Sequence, residues 1–465
     1  MKKIGVVITD GVGFRNFILS NFIQDAKKEF NNVVIFSCLP KSVYDEFDLN
    51  CKVYELEFFD ETFVTWFFRK TKEIAHLHLH EKGNFGIQDS LKANWSNAKT
   101  IRGFATRMSY LWTKIFHSEN WIQLYYRLQQ STFKQSNITK VYKDLLTSES
   151  IDILFFTHQR PSFIAPMIYS AEQLHIKTAA FVFSWDNLAS KNRMAGNFDY
   201  YFVWSNLMQN ELMQYYTKIK IENIEVVGTP QFEPYVMEEY RTDKLEFCRK
   251  FNLDSAKKII CFSCGDITTS RNDELYIEII ASAIKNSLIA DVNFIVRTSP
   301  AEDAVRFAAL VEKYSFIRWN FPAWSLTRNK HQEVWSQRVP NIEDVRDLRA
   351  LIEYSDLNIN MLSTMSLDFM QFNKPVINTV FGNSSNGLYN DQRFLNYAHI
   401  VNVVNSHATM IVTDENELIA AINRYVANPS LDTVQREEFN KLQIGKPLKG
   451  TGKRIAEQLR IWSNQ

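Results

Sequence analysis

Short apolar runs alternate with amphipathic stretches over most of the chain. The runs at 3–9, 32–37, 177–183, 198–205, 258–263, 292–297, 357–361 and 376–380 have the length and composition of buried strands. Helical spacing occurs between or after them, at 17–30, 162–174, 206–216, 273–288, 345–354, 365–372, 415–427 and 453–463. Helices that alternate with strands connect parallel strands and cover both faces of a sheet. The pattern therefore predicts an α/β fold.

Residues from about 55 to 145 interrupt this alternation. Their aromatic and basic segments around Trp66, Tyr110 and Trp121 predict amphipathic helices. We interpret them as a helical insertion in the N-terminal domain. The mixture of aromatic and basic residues fits either an ordinary helix-packing face or a surface that docks on a membrane or meets a lipid-linked acceptor.

Three histidines in the insertion, His76, His78 and His80, are spaced two residues apart. On a strand this spacing would place three imidazoles on one face, where they could bind Zn²⁺. The surrounding sequence does not favour a strand. We therefore predict no metal site, and binding of a metal by these histidines stays an open alternative.

Length and composition limit the class of protein. A chain of 465 residues with 45% apolar and 23% charged residues suits two globular domains. The formal net charge of +1 argues against a general nucleic-acid-binding protein. Five cysteines form no disulfide framework, and Cys261 and Cys264 lie in and just after a predicted strand, so we expect reduced, buried thiols.

The chain shows no sign of export. Its N-terminal apolar run is too short for a signal peptide, and no stretch of about 18 apolar residues could span a bilayer. We expect a cytoplasmic protein, with association at the surface of the inner membrane left open.

The first predicted turn contains Gly11 and Gly13 after Asp10. It lacks the third glycine of a dinucleotide-binding fingerprint, which argues against a nicotinamide or flavin site. A tight turn explains these glycines without a cofactor.

The most informative segment is 351–382. It predicts a strand, a Ser363-Thr364 turn, a helix, a Lys-Pro break and a second strand. Where a parallel strand ends and a helix begins, backbone N–H groups and the helix dipole point above the sheet. Hydroxyl side chains at this position act either as helix caps or as phosphate ligands.

This unit resembles the donor half of nucleotide-sugar glycosyltransferases with two facing Rossmann-like domains, the GT-B fold. The resemblance covers most of residues 150–430. It implies an N-terminal acceptor domain at 1–235, a C-terminal donor domain at 236–445, and a segment at 446–465 whose helix folds back on the first domain. It also implies that Asp368, where the family more often has Glu, helps to hold the donor.

Turns after three strands of the second domain should lie along one edge of its sheet, the usual ligand crevice of parallel sheets. Arg297 is a natural partner for a diphosphate. The resemblance adds Asn341, Ile342 and Asp344 beside the nucleotide base. The predicted donor site contains Ser263, Gly265, Arg297, Ser299, Asn341, Ile342, Ser363, Thr364 and Asp368.

Two loops of the first domain offer a general base for the acceptor hydroxyl. His158 follows an apolar strand, and an imidazole titrates near neutral pH. Asp186 follows the next strand and could act instead, or it could only cap the next helix. Whether the reaction inverts or retains configuration stays open. On the acceptor side we predict Asp10, Gly13, Arg15, Arg160 and Asn187.

The sequence thus predicts a metal-independent glycosyltransferase that uses a nucleotide-sugar co-substrate and no other cofactor. Its acceptor would be a glycan or a lipid-linked molecule in the synthesis of a bacterial surface polysaccharide or glycolipid. Three alternatives remain: a nucleotide-sugar epimerase of the same fold, a CDP-linked glycerophosphotransferase, and an inactive relative that acts as a scaffold. The phosphotransferases favour His-Pro where this chain has Ser299-Pro300.

Overall fold

A computed structural model describes residues 2–329, 331, 333–382 and 391–465. Their strands form two separate parallel sheets of seven and six strands and one two-stranded hairpin. Both larger sheets are flanked by helices. This is the predicted arrangement of two Rossmann-like domains.

The first sheet has the strand order β3-β2-β1-β4-β5-β6-β7, and every neighbouring pair is parallel. Its central strands are buried because helices cover both faces. The strands are β1 (Lys3–Ile8), β2 (Asn32–Ser37), β3 (Lys52–Glu55), β4 (Ile153–Phe156), β5 (Lys177–Phe181), β6 (Tyr200–Val203) and β7 (Ile224–Val226).

The second sheet repeats this winding with the order β10-β9-β8-β13-β14-β15, again all parallel. The antiparallel hairpin β11–β12 extends from it toward the first domain. The strands are β8 (Ile259–Ser263), β9 (Asn293–Arg297), β10 (Arg318–Asn320), β11 (Trp324–Leu326), β12 (Arg338–Pro340), β13 (Leu357–Asn360), β14 (Val376–Thr379) and β15 (Met410–Val412).

Five helices between β3 and β4 form the predicted insertion. The helices of the first half are α1 (Gly11–Phe17), α2 (Phe22–Glu29), α3 (Phe63–His80), α4 (Phe85–Asn94), α5 (Ile101–Thr113), α6 (Glu119–Ser131), α7 (Asn137–Glu149), α8 (Ala165–Gln173), α9 (Asn187–Ser190) and α10 (Asn206–Tyr215). Those of the second half are α11 (Lys244–Lys250), α12 (Asp273–Lys285), α13 (Ala308–Lys313), α14 (Ile342–Tyr354), α15 (Met365–Met370), α16 (Ala398–Ser406), α17 (Glu415–Ala427), α18 (Thr433–Ile444) and α19 (Thr451–Trp462).

Short 3-10 helices complete the regular structure. They are Lys41–Tyr44, Ser162–Ile164, Ile221–Asn223, Pro230–Val236, Glu238–Tyr240, Ala304–Phe307, Val334–Gln337 and Asp391–Asn396. The predicted domain division at residues 235 and 236 falls in Pro230–Val236, and we propose to retain it there.

Two local predictions were wrong. The predicted turn at residues 10–16 is the start of a helix, because the Asp10 side chain accepts a hydrogen bond from the Gly13 N–H at 2.7 Å and caps α1. Of the predicted helix at 17–30, only Phe17, the last residue of α1, and Phe22–Glu29, which form α2, are helical.

The five cysteines are free thiols, as predicted. Burial raises the pKa of Cys261 to about 12 and that of Cys264 well above its usual value. Both thiols are therefore protonated and unreactive at neutral pH.

The end of the chain returns to the first domain. Helix α19 packs on α2, where Gly452 lies so close to the Phe22 backbone that an added Cβ would come within 2.7 Å of its nitrogen. The Trp462 indole stacks on the Tyr200 ring with centroids 4.5 Å apart. The buried apolar cluster of the first domain also continues into α14 and α15 of the second.

Candidate active site between the two domains

The carboxyl ends of both sheets face a shared cleft. Each sheet reverses its winding direction beside its first strand, between β1 and β4 and between β8 and β13. Ligands of open parallel sheets bind at such switch points, because the loops on either side diverge there. His158 and Asp10 follow β4 and β1, and Ser363 and Gly265 follow β13 and β8.

A cavity of about 430 Å³ lies in this cleft. This volume is within the range of small-molecule sites. The first domain contributes Ser184, Trp185, Asp186, Ser190 and Lys191. The second contributes Cys264, Gly265, Asp266, Thr269, Ser270, Ser299, Pro300, Met361, Leu362, Ser363, Thr364, Met365, Phe394, Tyr397, His399 and Ile400. Of the predicted site residues, Asp186, Gly265, Ser299, Ser363 and Thr364 thus line one cavity.

The Ser363-Thr364 turn does not present a row of free amides. The Ser363 N–H donates to the Asn360 Oδ1 at 2.7 Å, and the Met365 N–H donates to the Ser363 Oγ at 3.2 Å. Helix α15 has only six residues, so its dipole is small. The Ser363 and Met365 amides are therefore already bonded within the turn, which leaves its hydroxyl groups as the predicted phosphate ligands.

Trp185 bridges the cleft. Its indole Nε1–H donates to the Thr364 Oγ1 across the two domains at 3.3 Å, and its ring packs edge-on against His399 at 5.1 Å. The Trp-Asp-Asn loop therefore closes one side of the cavity and fixes the position of the Thr364 hydroxyl.

Asp10 and His158 form a buried pair at the first switch point. The His158 Nδ1 lies 2.9 Å from the Asp10 Oδ2, and its ring stacks on Phe183 at 3.9 Å. Asp10 also accepts hydrogen bonds from Thr9 and Gly13, and these donors together with His158 lower its pKa, although burial alone would raise it. The carboxylate thus fixes the tautomer with a proton on Nδ1.

The other nitrogen of His158, Nε2, is buried and has no hydrogen-bond partner among the described residues. Burial lowers the pKa of His158, although the Asp10 carboxylate opposes this effect. The imidazole is therefore neutral at pH 7, with an unshared pair on Nε2. This is the state that a general base requires.

Asp186 has the opposite character. Burial raises its pKa, but Lys191, whose Nζ lies 3.3 Å from the Asp186 Oδ2, and His399 outweigh this and lower the pKa far below its usual value. Such a carboxylate binds a proton poorly at neutral pH. Asp186 lines the cavity, whereas His158 is absent from its lining. Of the two predicted bases, however, only His158 has a proton-accepting atom without a partner among the described residues.

Arg297 is not available to a ligand in the predicted way. Its guanidinium is buried, donates to the Asp344 Oδ2 at 2.9 Å and also bonds Asn320. It is absent from the residues that line the cavity. The sequence could not reveal this, because the Asp344 partner lies 47 residues away on α14.

Four more predicted donor residues lie outside the cavity lining. Ser263 is buried and accepts a hydrogen bond from Asn358 at 2.7 Å. Asn341 caps α14 through the Asp344 N–H, and the neighbouring Ile342 is exposed. Asp368 is buried and accepts a hydrogen bond from the Tyr235 hydroxyl.

The acceptor-side residues surround the Asp10–His158 pair. Gly13 lies against Thr157, where an added Cβ would come within 2.8 Å of its hydroxyl oxygen. Asn187 accepts a hydrogen bond from Gln159 and donates to Asp186, so it links the two loops. Arg15 bonds Asn16, and its charge partly opposes the rise in the pKa of Asp368 that burial causes. The buried Nε of Arg160 has no partner among the described residues.

A family model described as CDP-Glycerol:Poly(glycerophosphate) glycerophosphotransferase matches residues 172–446. The chain belongs to this family. The match covers the Trp-Asp-Asn loop and the second domain. No curated protein matches the chain at a significant level.

Solved structures share the fold of this glycerophosphotransferase-family chain. An S. aureus MnaA–UDP co-structure has a TM-score of 0.56 at 10% identity and covers 100% of this chain and 97% of its own. A putative UDP-N-acetylglucosamine 2-epimerase from Listeria monocytogenes has a TM-score of 0.57 at 9% identity, with coverage of 100% and 98%. The wall teichoic acid polymerase TagF, soaked with CDPG, has a TM-score of 0.51 at 12% identity, with coverage of 100% and 89%. At these identities the similarity shows the GT-B fold.

Among the cavity residues of this family member that sequence reasoning missed are its two basic ones, Lys191 and His399. The His399 Nδ1 is buried without a partner among the described residues, and burial lowers the pKa of His399 to about 4. His399 begins no motif, and α16 brings it to the cavity from 35 residues beyond Thr364. Lys191 follows the Trp-Asp-Asn loop, which was the one available signal.

The three histidines of the insertion lie on helix α3, not on a strand. His76 and His80 are one turn apart with ring centroids at 4.8 Å, and burial lowers the pKa of each. Within the described ranges, no group of three or more His, Cys, Asp or Glu side chains is placed to hold a metal ion. The same part of the chain has no helix long and apolar enough to cross a membrane.

Proposed function

We propose that the chain transfers a glycerol phosphate unit from a CDP-linked donor to a hydroxyl group of a polyol-phosphate or glycan acceptor. The observation that carries this proposal is the His158 Nε2 at a switch point of the first sheet, which has no hydrogen-bond partner in the residues that the structure describes. The family to which the chain belongs is described by that reaction. It replaces the nucleotide-sugar transfer that the sequence favours.

In this reaction the His158 Nε2 removes the proton of the acceptor hydroxyl while Asp10 holds the Nδ1–H. The acceptor oxygen forms a bond to the β-phosphorus of the donor. The bond from that phosphorus to the bridging oxygen breaks, and CMP leaves with the electron pair. The proton remains on His158, so the charges balance.

Cationic side chains favour this step because negative charge builds up on the departing phosphate. Lys191 lines the cavity, and Arg160 lies close enough to His158 and Asp186 to alter the pKa of both. We assign these two cations to the diphosphate in place of Arg297. Ser299, Ser363 and Thr364 provide neutral hydrogen bonds from the second domain.

Sugar transfer is the second candidate. The observation in its favour is Ser299 in the cavity, at the position where the glycerophosphotransferases favour the histidine of a His-Pro pair. The release of CMP does not require a histidine in addition to His158. The presence of Ser299 instead of the histidine of the His-Pro pair is nevertheless the strongest argument for another donor.

The test is a direct assay with CDP-glycerol and with a panel of UDP-, GDP-, CDP- and dTDP-sugars. We expect transfer from CDP-glycerol, with release of CMP and at least a 100-fold loss in His158→Ala, since general-base catalysis contributes about 10²–10⁴-fold. His117→Asn, a partly exposed histidine in the insertion, is the matched control and should retain activity.

Each other result identifies an alternative. Transfer from one of the sugars alone would establish the second candidate, and an isomerised nucleotide sugar without transfer would indicate an epimerase. A chain that binds none of these nucleotides, and whose melting temperature none of them raises, would be a scaffold.

A further inference from the structure

Helix α5 has its two faces reversed relative to an ordinary surface helix. The face that packs against the protein carries mostly small and polar residues: Gly103, Ala105, Thr106, Ser109 and Thr113 are buried there, together with one large side chain, Tyr110. Ser109 shares a hydrogen bond of 2.8 Å with Thr71 of α3. An added Cβ at Gly103 would come within 2.2 Å of the Ala98 carbonyl oxygen, so this contact requires a small residue.

The opposite face of α5 carries the large apolar side chains. Ile101 is 77% exposed, Phe104 60%, Leu111 59% and Ile115, just beyond the helix end, 73%. Met108 and Trp112 are also exposed. The spacing of three and four residues places them in one stripe along the helix. Trp112 also packs on the protein, where its indole N–H donates to the Tyr125 hydroxyl at 2.9 Å. Burial does not explain the other side chains of the stripe, which are at least 47% exposed.

The stripe continues onto the neighbouring helix α3, which carries Phe63 and Trp66. The Arg102 guanidinium lies over the Trp66 ring at 5.3 Å, and Trp66 is 5.7 Å from the exposed Phe63 ring. We call the surface formed by Phe63, Ile101, Phe104, Met108, Leu111, Trp112 and Ile115 the α5 surface. Contiguous exposed apolar surfaces of this kind mark sites of interaction with proteins or membranes.

The charge around the α5 surface selects between these partners. Residues 90–118 contain no Asp or Glu and five basic residues, Lys92, Lys99, Arg102, Arg107 and Lys114, in a chain whose net charge is +1. An amphipathic helix with basic flanks and exposed Trp, Phe and Leu is suited to the interface of a bilayer that contains anionic lipids.

We propose that the α5 surface docks the protein on an anionic membrane, with α5 lying in the plane of the lipid head groups. This inference stands independently of the proposed reaction. Of the two interpretations of the insertion, it selects membrane docking and names the residues that would contact the membrane.

Helix α4 connects this surface to the cleft. The Tyr397 hydroxyl, on a residue that lines the cavity, donates to the Asp89 Oδ2 of α4 at 2.6 Å, and Gly86 packs against the Tyr397 ring. Helix α4 ends at Asn94, and α5 begins at Ile101. A docked α5 would thus hold the opening of the cleft near the lipid surface, where a lipid-linked acceptor could reach it.

The experiment measures sedimentation of the full chain with vesicles of phosphatidylglycerol and phosphatidylcholine, and with vesicles of phosphatidylcholine alone. We expect binding to the anionic vesicles that weakens at least tenfold in Phe104→Ser/Leu111→Ser and in Lys99→Glu/Lys114→Glu. Val305→Ser/Val434→Ser, a pair of equally exposed apolar residues on the second domain, should bind as the unaltered chain does. All three variants should melt within a few degrees of it, since each changed side chain is exposed.

Three outcomes would overturn the proposal: no binding of the unaltered chain to anionic vesicles, equal binding by the Phe104→Ser/Leu111→Ser variant, or a dimer in solution that this variant converts to a monomer. The last result would make the α5 surface a contact between two copies. Transfer to a water-soluble acceptor should not change in the α5 variant, so failure of membrane docking and failure of the proposed reaction give different results.

Discussion

The His158 imidazole has one nitrogen that is hydrogen-bonded to Asp10 and one that is buried without a partner in the described part of the chain. Leaving a buried polar atom unpaired costs about 1–3 kcal/mol. Under the proposed function, the acceptor hydroxyl binds at Nε2 and removes this cost. The proposed chemistry therefore depends on a pair of side chains 148 residues apart.

Asp10→Asn should reduce the turnover number by about 10²–10⁴-fold while the protein stays folded, because the amide can stabilise the wrong tautomer and removes the charge that supports the imidazolium. Without the carboxylate, the pKa of His158 falls further, so the acidic limb of the activity profile should move to lower pH. A rate profile between pH 4 and 8 measures both effects. An unchanged limb would exclude His158 as the titrating base.

Asp368 should act on stability instead of catalysis. Burial raises its pKa to about 6, although the hydrogen bond from Tyr235 opposes this. A carboxyl whose pKa is higher in the folded state stabilises the protein at low pH and loses that contribution as pH rises from about 4 to about 6.

Asp368→Asn removes the charge and should therefore raise the free energy of unfolding at pH 8 by about 1–2 kcal/mol, below the limit of about 3 kcal/mol set by the shift. The gain should disappear at pH 4. Urea unfolding at the two pH values measures it. A loss of donor affinity in this variant would instead show that Asp368 contributes to the donor site, as the sequence predicts.

At the scale of elements, the cleft is held by loops that follow strands, and a hydrogen bond joins two of these loops across the domains. Trp185 of the loop after β5 contacts Thr364 of the turn after β13. Trp185→Phe keeps the ring but removes the donor, and Thr364→Val removes the acceptor. Each should cost about 1 kcal/mol in unfolding free energy, and the double variant should cost little more than either alone. Additive losses would show that the two residues do not interact.

The sequence was most informative about these elements and least informative about their side chains. Alternating apolar and amphipathic segments predicted both sheets, because helices on both faces force a continuous apolar strand such as Ile153–Phe156. The same pattern cannot show that Arg297 pairs with Asp344, or that α16 brings His399 to the cavity. Such partners are determined by tertiary packing, and the spacing of residues along the sequence does not predict them.

On the scale of the whole molecule, the two domains meet closely enough that a single methyl group matters. An added Cβ at Gly11 would lie 1.6 Å from the Arg338 carbonyl oxygen of β12. Backbone atoms on both sides cannot move independently of their domains, so the contact requires glycine.

Gly11→Ala should therefore force α1 and β12 apart and widen the cleft. We expect a loss of stability of at least about 3 kcal/mol and a larger radius of gyration in X-ray scattering. Gly83→Ala is the control: no atom lies within 4 Å of its added Cβ, and its positive φ of 73° should cost only about 1 kcal/mol. Equal effects of the two substitutions would show that the domains do not press on this glycine.

The return of α19 to the first domain sets the order in which a newly made chain can fold. The binding partner of α2 and Tyr200 follows the whole second domain in the chain, so during translation the first domain has an uncovered apolar patch until α19 has left the ribosome. Only then can Trp462 cover it. A premature stop codon before Thr451 would consequently damage the domain that was made first.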